Sequence, residues 1–299
     1  MRIQLEFGSA VTLSECLKKL VILGQFLNLV AGRSQVIENV QIELDKCKSK
    51  ELPLSLHWIL GPIQVGEQEL DEPSRIDMPL DGVRRAEEFS QVIEQWFKSE
   101  DHTLARARLN SCRERGNCFD VYRLVAAANL FDLTVTLKPL EIPKNLTEIR
   151  KNCLDALRAL PRSDERDSAI MALSRIGAPS LMKKVLSRAA IVCRYFSLED
   201  LDKVLRQAVK CRNYFVHGPG DNSFNFPAVE RHTIFLTETL EFVFAAAELI
   251  DCGWNANNWR HRPHTGNHWF SRYISHYDES KADLFSDIER SKKSGSMNQ

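Results

Sequence analysis

The sequence has no net charge: forty Lys plus Arg are matched by forty Asp plus Glu across 299 residues. A protein whose whole surface serves nucleic acid is usually basic, so any grip on RNA or DNA has to come from a local cationic site. No Cys-x-x-Cys occurs among the eight cysteines at 16, 47, 112, 118, 153, 193, 211 and 252, which excludes a zinc ribbon. Several of these cysteines fall on apolar helical faces, where a free thiol packs as a small hydrophobe. No apolar run is long enough to span a bilayer and no secretory leader opens the chain, so the expected location is the cytoplasm, with reduced thiols and no membrane partner. A glycine-rich nucleotide loop, a paired-carboxylate signature and internal repeats are also missing. No cofactor is expected.

What is present is helical periodicity in the second half and alternation in the first. Residues 2–7 and 39–44 alternate polar with apolar, and residues 54–60 read as a further strand that Gly61 and Pro62 stop. Between them a helix is expected over about 13–31, capped by Thr12 or Ser14 and ended by Gly32. Residues 1–80 therefore read as a small α+β domain. Residues 81–140 form a helical connecting region, with helices near 83–98, 100–114 and 119–133. The second of these carries Arg106, Arg108, Arg113 and Arg115, either as a solvated face or as a phosphate-tracking surface. Glu141 to Lys144 is the expected linker.

Residues 141–255 read as an antiparallel helical bundle, with helices near 145–160, 163–176, 180–196, 197–217 and 228–251. The last is apolar nearly all round, which implies burial on several sides or an oligomer contact. The fold class is mainly α: a C-terminal antiparallel bundle preceded by a small α+β N-terminal region. Residues 256–299 are expected to be an aromatic and basic tail, disordered from about 279. His261, His264 and His268 lie in that tail. Without a cysteine or carboxylate partner at helical spacing they are not assigned to a metal.

The chemistry concentrates at Lys210-Cys211-Arg212-Asn213-Tyr214-Phe215-Val216-His217-Gly218-Pro219-Gly220, which ends an amphipathic helix. Ser197 is the expected N-cap of that helix, and Gly218-Pro219 is the stop. Each helical residue advances ~100°. Asn213 and His217 therefore share a face, while Arg212 falls inside the apolar stripe, roughly 140° from His217. On one ideal helix Arg212 and His217 do not converge. They meet only if the helix end tightens or a second copy packs against the first. Arg262 and His268 repeat the spacing, but Pro263 and Gly266 break the helical period there.

Arg-Asn-Tyr-Phe-Val-His-Gly at the end of a bundle helix resembles the signature of HEPN domains: an arginine, a polar residue directly after it, and a histidine a few positions on. Within that superfamily the chain is similar to the ApeA-like anti-phage proteins. Gln95-Trp96-Phe97-Lys98 and Tyr122-Arg123-Leu124-Val125-Ala126-Ala127-Ala128-Asn129-Leu130-Phe131 add to the likeness. The resemblance implies a metal-independent endoribonuclease that cuts RNA, tRNA among the candidate substrates, by attack of the 2′-hydroxyl on the adjacent phosphorus. His217 would be the general acid or base, Arg212 the electrostatic stabiliser, and Asn213 a group that orients His217 or a phosphate oxygen. It also implies a homodimer through the motif helix, and a longer N-terminal sensing region than residues 1–80 supply. The competing reading is a HEPN domain that has lost cleavage and serves as a dimerisation or interaction module.

Overall fold

The computed structural model describes residues 5–35, 37, 40–42, 54–56, 75–116, 118–134, 144–218 and 224–296. Among them α1 runs Leu13–Ala31 and is followed by an antiparallel pair of short strands. These are β1 (Val40–Ile42) and β2 (Leu54–Leu56), with Gln41 opposite Ser55. The Thr12 side chain accepts from the Glu15 N–H while the Glu15 carboxylate reaches back to the Thr12 N–H, a reciprocal cap that fixes where α1 begins. The strand expected over 2–7 lies partly outside the described residues, and residues 5–7 are not strand. The linker expected at 141–144 also lies outside them, apart from Lys144.

Three helices follow: α2 (Ala86–Lys98), α3 (Thr103–Glu114) and α4 (Val121–Thr134). Next come α5 (Lys144–Ala159), α6 (Asp164–Ser174), α7 (Leu181–Val192), α8 (Leu201–His217), α9 (Thr233–Asp251), the short α10 (Ala256–Arg260) and α11 (Trp269–Ser296). The centre of the molecule is α9. Residues such as Leu236, Leu240, Phe242, Phe244 and Leu249 are fully buried around its circumference, because α4, α7, α8 and α11 surround it. The all-round apolar character of this helix is thus absorbed within one chain and calls for no second copy. Helix α4, expected in a connecting region, is a full member of the bundle and packs on α3, α7, α8 and α9. Helices α5 and α6 pack chiefly against each other.

The C-terminal segment departs from expectation. Residues 279–296 continue α11 rather than forming a disordered tail. Trp269, Phe270, Tyr273, Tyr277 and Leu284 are buried at three-, four- and seven-residue steps, one apolar stripe in a polar background. The stretch from Trp254 to Asn267, around α10, also ties the C-terminal part of the fold to Asp77 and Pro79 ahead of α2. Trp254 and Trp259 donate their indole N–H groups to the carbonyls of Pro79 and Asp77, and the buried Asp77 carboxylate accepts the backbone N–H groups of Thr265 and Asn267, each at 2.7 Å.

Burial alone would push the Asp77 carboxyl up, but the hydrogen bonds from Thr265 and Asn267 outweigh it and hold the group below its usual value. A depressed pKa contributes stability that is present above the unfolded value of ~3.9 and is lost as pH falls through the folded value. Asp77→Asn should therefore cost about 1–3 kcal/mol at neutral pH, since an amide cannot accept from both N–H donors. The difference from wild type should shrink as denaturant melts are repeated below pH 4. An equal loss at pH 3 and pH 7 would remove the carboxylate from the account.

Two carboxylates lie inside the bundle on α9, and both are met by arginines. Glu241 receives Arg123 in a two-pronged pair at 2.7 and 2.9 Å, and Arg113 at 3.1 Å. Glu248 receives Arg106 at 2.9 Å, Arg188 at 3.0 Å and His102 at 3.0 Å. Burial raises the Glu248 carboxyl, but the His102 hydrogen bond and the charges of Arg106 and Arg188 prevail and keep it low. In turn, His102 is raised by that hydrogen bond. Arg106 and Arg113, two of the three arginines of α3, are thus internal counterions, neither a solvated face nor a phosphate-tracking surface.

Candidate active site

Helix α8 begins later than its sequence suggests. Ser197 does not cap it; its hydroxyl accepts from Arg260 at 3.3 Å. The cap position is Asp200, in the left-handed region at φ 58°, a conformation that Asp tolerates better than most residues. From Leu201 onward Leu201, Val204, Leu205, Ala208 and Cys211 turn inward onto α4, α7 and α9. The helix ends on Gly218, whose φ of 80° excludes most side chains and whose N–H caps the Tyr214 carbonyl at 2.9 Å. Beyond it the chain returns to place Phe226 flat on Tyr214, with centroids 4.9 Å apart, and edge-on to Phe215 at 5.0 Å. These aromatic contacts pin the last turn of α8 and hence the direction of His217.

Arg212 and His217 meet within one chain. Arg212 Nη1 lies 3.5 Å from His217 Nε2 and donates to Asn213 Oδ1 at 3.1 Å. Counting ~100° per residue tracks where the Cα–Cβ bond points, and the long arginine side chain bends back across the turn to close the gap. The guanidinium is half-buried and His217 is exposed, so the pair stands at the rim of the bundle with its reactive edge open to solvent. Neither a tightened helix end nor a second copy is needed to bring the two together.

A residue to which sequence reasoning gave no role completes the arrangement. Arg212 Nη2 donates to Asn129 Oδ1 on α4 at 2.9 Å. With one prong on Asn213 and one on Asn129, the guanidinium plane is fixed from two helices. Arg212 Nε is buried without an acceptor among the described residues. The signal for Asn129 was present as a single amide in the otherwise apolar run of α4. Chemically, the cluster offers a fixed planar cation, an imidazole within reach of it, and amides that can bind a phosphate oxygen.

The histidines of the C-terminal segment do not gather. His268 is in the core, with Nε2 donating to the Leu29 carbonyl at 3.2 Å and Nδ1 accepting the Phe270 N–H at 3.1 Å. Burial pushes its pKa down to about 3. It packs so closely under Gly32 that a Cβ there would meet its ring at 2.4 Å. His264 lies over Trp259, with ring centroids 4.2 Å apart, and His261 is exposed. Among the described residues no group of three or more His, Cys, Asp or Glu is placed to hold a metal ion.

Residues 140–258 match the family described as Apea-like HEPN, and residues 1–96 match ApeA N-terminal domain 1. The chain thus carries an ApeA-like HEPN domain together with an ApeA N-terminal domain, and so matches an ApeA-like HEPN protein. A domain of this type implies a HEPN-type family of anti-phage effectors, and the Arg212–His217 pair lies inside the matched HEPN segment. Asn129 lies upstream of that segment, so the candidate site draws on a helix outside the matched HEPN segment. The N-terminal match extends through most of α2, past the boundary at residue 80 expected from composition. No curated protein matches the chain, and no solved structure does. Among the described residues no helix is long and apolar enough to cross a membrane.

Proposed function

We propose that this ApeA-like protein is a metal-independent endoribonuclease, a toxin-like effector that cuts RNA, with tRNA among its candidate substrates. The observation that carries the reading is the 3.5 Å approach of Arg212 to His217 on an open rim, inside a HEPN-family bundle. The 2′-hydroxyl adjoining the scissile phosphate loses its proton as its oxygen attacks phosphorus. The P–O5′ bond breaks, and the leaving 5′-oxygen takes up a proton. The products are a 2′,3′-cyclic phosphate and a 5′-hydroxyl. Imidazole moves protons near neutral pH, which suits His217 to either transfer. Arg212 presents parallel N–H donors to the oxygens of the phosphorane, where negative charge builds up. Asn213 orients the guanidinium from its own helix, and Asn129 positions it from α4.

Two copies whose motif helices face each other would set two such pairs in one cleft. Val216 is 44 % exposed beside the site and gives that contact an apolar centre. The reading as an interaction module without cleavage draws its support from the chain's zero net charge. The test is direct: purified protein is incubated with total RNA in excess EDTA, and the fragment ends are mapped. Fragments ending in cyclic phosphate are expected. Cleavage that disappears in EDTA and returns with a divalent ion would overturn the assignment. Intact RNA under all conditions would favour the interaction module.

A further inference from the structure

The exposed side of α8 carries a second feature that the catalytic assignment does not use. At ~100° per residue, Lys210, Arg206, Asn213 and Lys203 all project within about 40° of the direction of His217. All four are exposed, so the helix presents one ridge with the histidine at its C-terminal end. At 1.5 Å per residue, Lys210 and Arg206 stand ~10 and ~16 Å along the axis from His217.

The charges on this ridge are not equally committed. Lys203 is paired with Asp200 at 2.8 Å, at the end of the helix where the acidic residues collect. Arg206 approaches Asp202 only at 3.8 Å, with both side chains about half exposed. No described carboxylate pairs with Lys210. Availability of positive charge thus rises toward His217. Such a gradient is not what a helix surface stabilised by its own i,i+4 pairs would show. In a chain of zero net charge, this is the local cationic site that an anionic polymer requires.

We infer that the α8 ridge is the substrate track: Lys210 and Arg206 bind successive backbone phosphates of a single-stranded RNA whose scissile linkage lies at His217. The inference rests on the nuclease reading and deepens it. A single strand is required because the 2′-oxygen must swing into line with the P–O5′ bond, which a regular duplex prevents. The ridge offers cations and one amide rather than an array of base-reading groups, so it holds the strand through its phosphates, whatever the base sequence. Lys210 and Arg206 are positioning residues and touch no reacting atom.

The experiment separates this inference from cleavage. A His217→Ala protein is titrated with a fluorescent single-stranded RNA carrying 2′-O-methyl groups throughout, and affinity is read by anisotropy across a salt series. Each phosphate contact on a single strand contributes a slope of about −0.7 in log K against log salt. Lys210→Ala and Arg206→Ala should each remove about one such contact. Lys210→Arg should preserve it, and Lys98→Ala on α2 should change nothing. In the cutting enzyme, Lys210→Ala should raise KM rather than lower kcat. An unchanged slope and affinity in the Lys210→Ala/Arg206→Ala double variant would overturn the inference, as would equal binding of a duplex. Ridge-dependent binding by a protein that never cuts would leave the track standing while the nuclease reading falls.

Discussion

His217→Ala should leave RNA essentially uncut while the protein remains folded. Losing a general acid or base typically costs ~10²–10⁴ in rate. The structural cost is small because His217 is exposed on the last turn of α8 and its described side-chain contact is the 3.5 Å approach to Arg212. The measurement is fragment appearance per unit time beside a denaturant melt of the same preparation. Arg212→Lys should fall nearly as far in rate, since an ammonium cannot engage Asn129, Asn213 and a phosphorane at once. Asn129→Ala should lie between, with the guanidinium held from one helix only. A His217→Ala protein that cuts at the wild-type rate would end the nuclease reading and leave the interaction module in its place.

The largest stability effect is expected at Glu241. Its carboxylate is fully buried, as is the side chain of Arg123 that it holds through two hydrogen bonds, and Arg113 completes the group. Glu241→Ala strands two guanidinium groups in the interior, and breaking a buried pair in this way costs about 3–5 kcal/mol. Against a typical total of 5–15 kcal/mol, that is enough to populate unfolded chain in the cell. Replacing Glu241 and Arg123 together with apolar residues of similar volume should cost much less, because no uncompensated charge remains. Urea midpoints for the single and double variants decide the matter. A Glu241→Ala loss below ~1 kcal/mol would show that water or a rearranged partner neutralises the arginines.

How legible this was depended on what carried the signal. The start and end of α1 and the stop of α8 were readable because a reciprocal cap and a positive-φ glycine are local devices. The stripe of α9 announced a buried helix, but nothing in its sequence named α4, α7, α8 and α11 as its covering. Residues 279–296 looked disordered because polar residues dominate their average, while the few apolar ones sit at helical steps whose partners lie far away in the chain. Glu241 and Glu248 were invisible as core residues, since the arginines that neutralise them lie 60 to 142 positions away. The motif pair was singled out by the signature that its surrounding residues resemble, since the spacing alone recurs at Arg262 and His268, and its convergence was misjudged because side-chain reach was left out. Asn129 needed the approach of α4 to α8, which only the tertiary packing supplies.

The wide separation between those arginines and their glutamates has a bearing on how the protein is made. Arg123 emerges from the ribosome 118 residues ahead of Glu241. At ~5–20 residues per second that interval lasts about 6–24 s. Throughout it Arg113 and Arg123 are without Glu241, and α8, synthesised before α9, has no central helix to lie against. The framework behind α8 is complete only once α9 has been synthesised. A nascent or truncated chain that stops short of α9 would therefore hold the motif residues without the central helix on which α8 packs, and any activity of the Arg212–His217 pair would wait for α9.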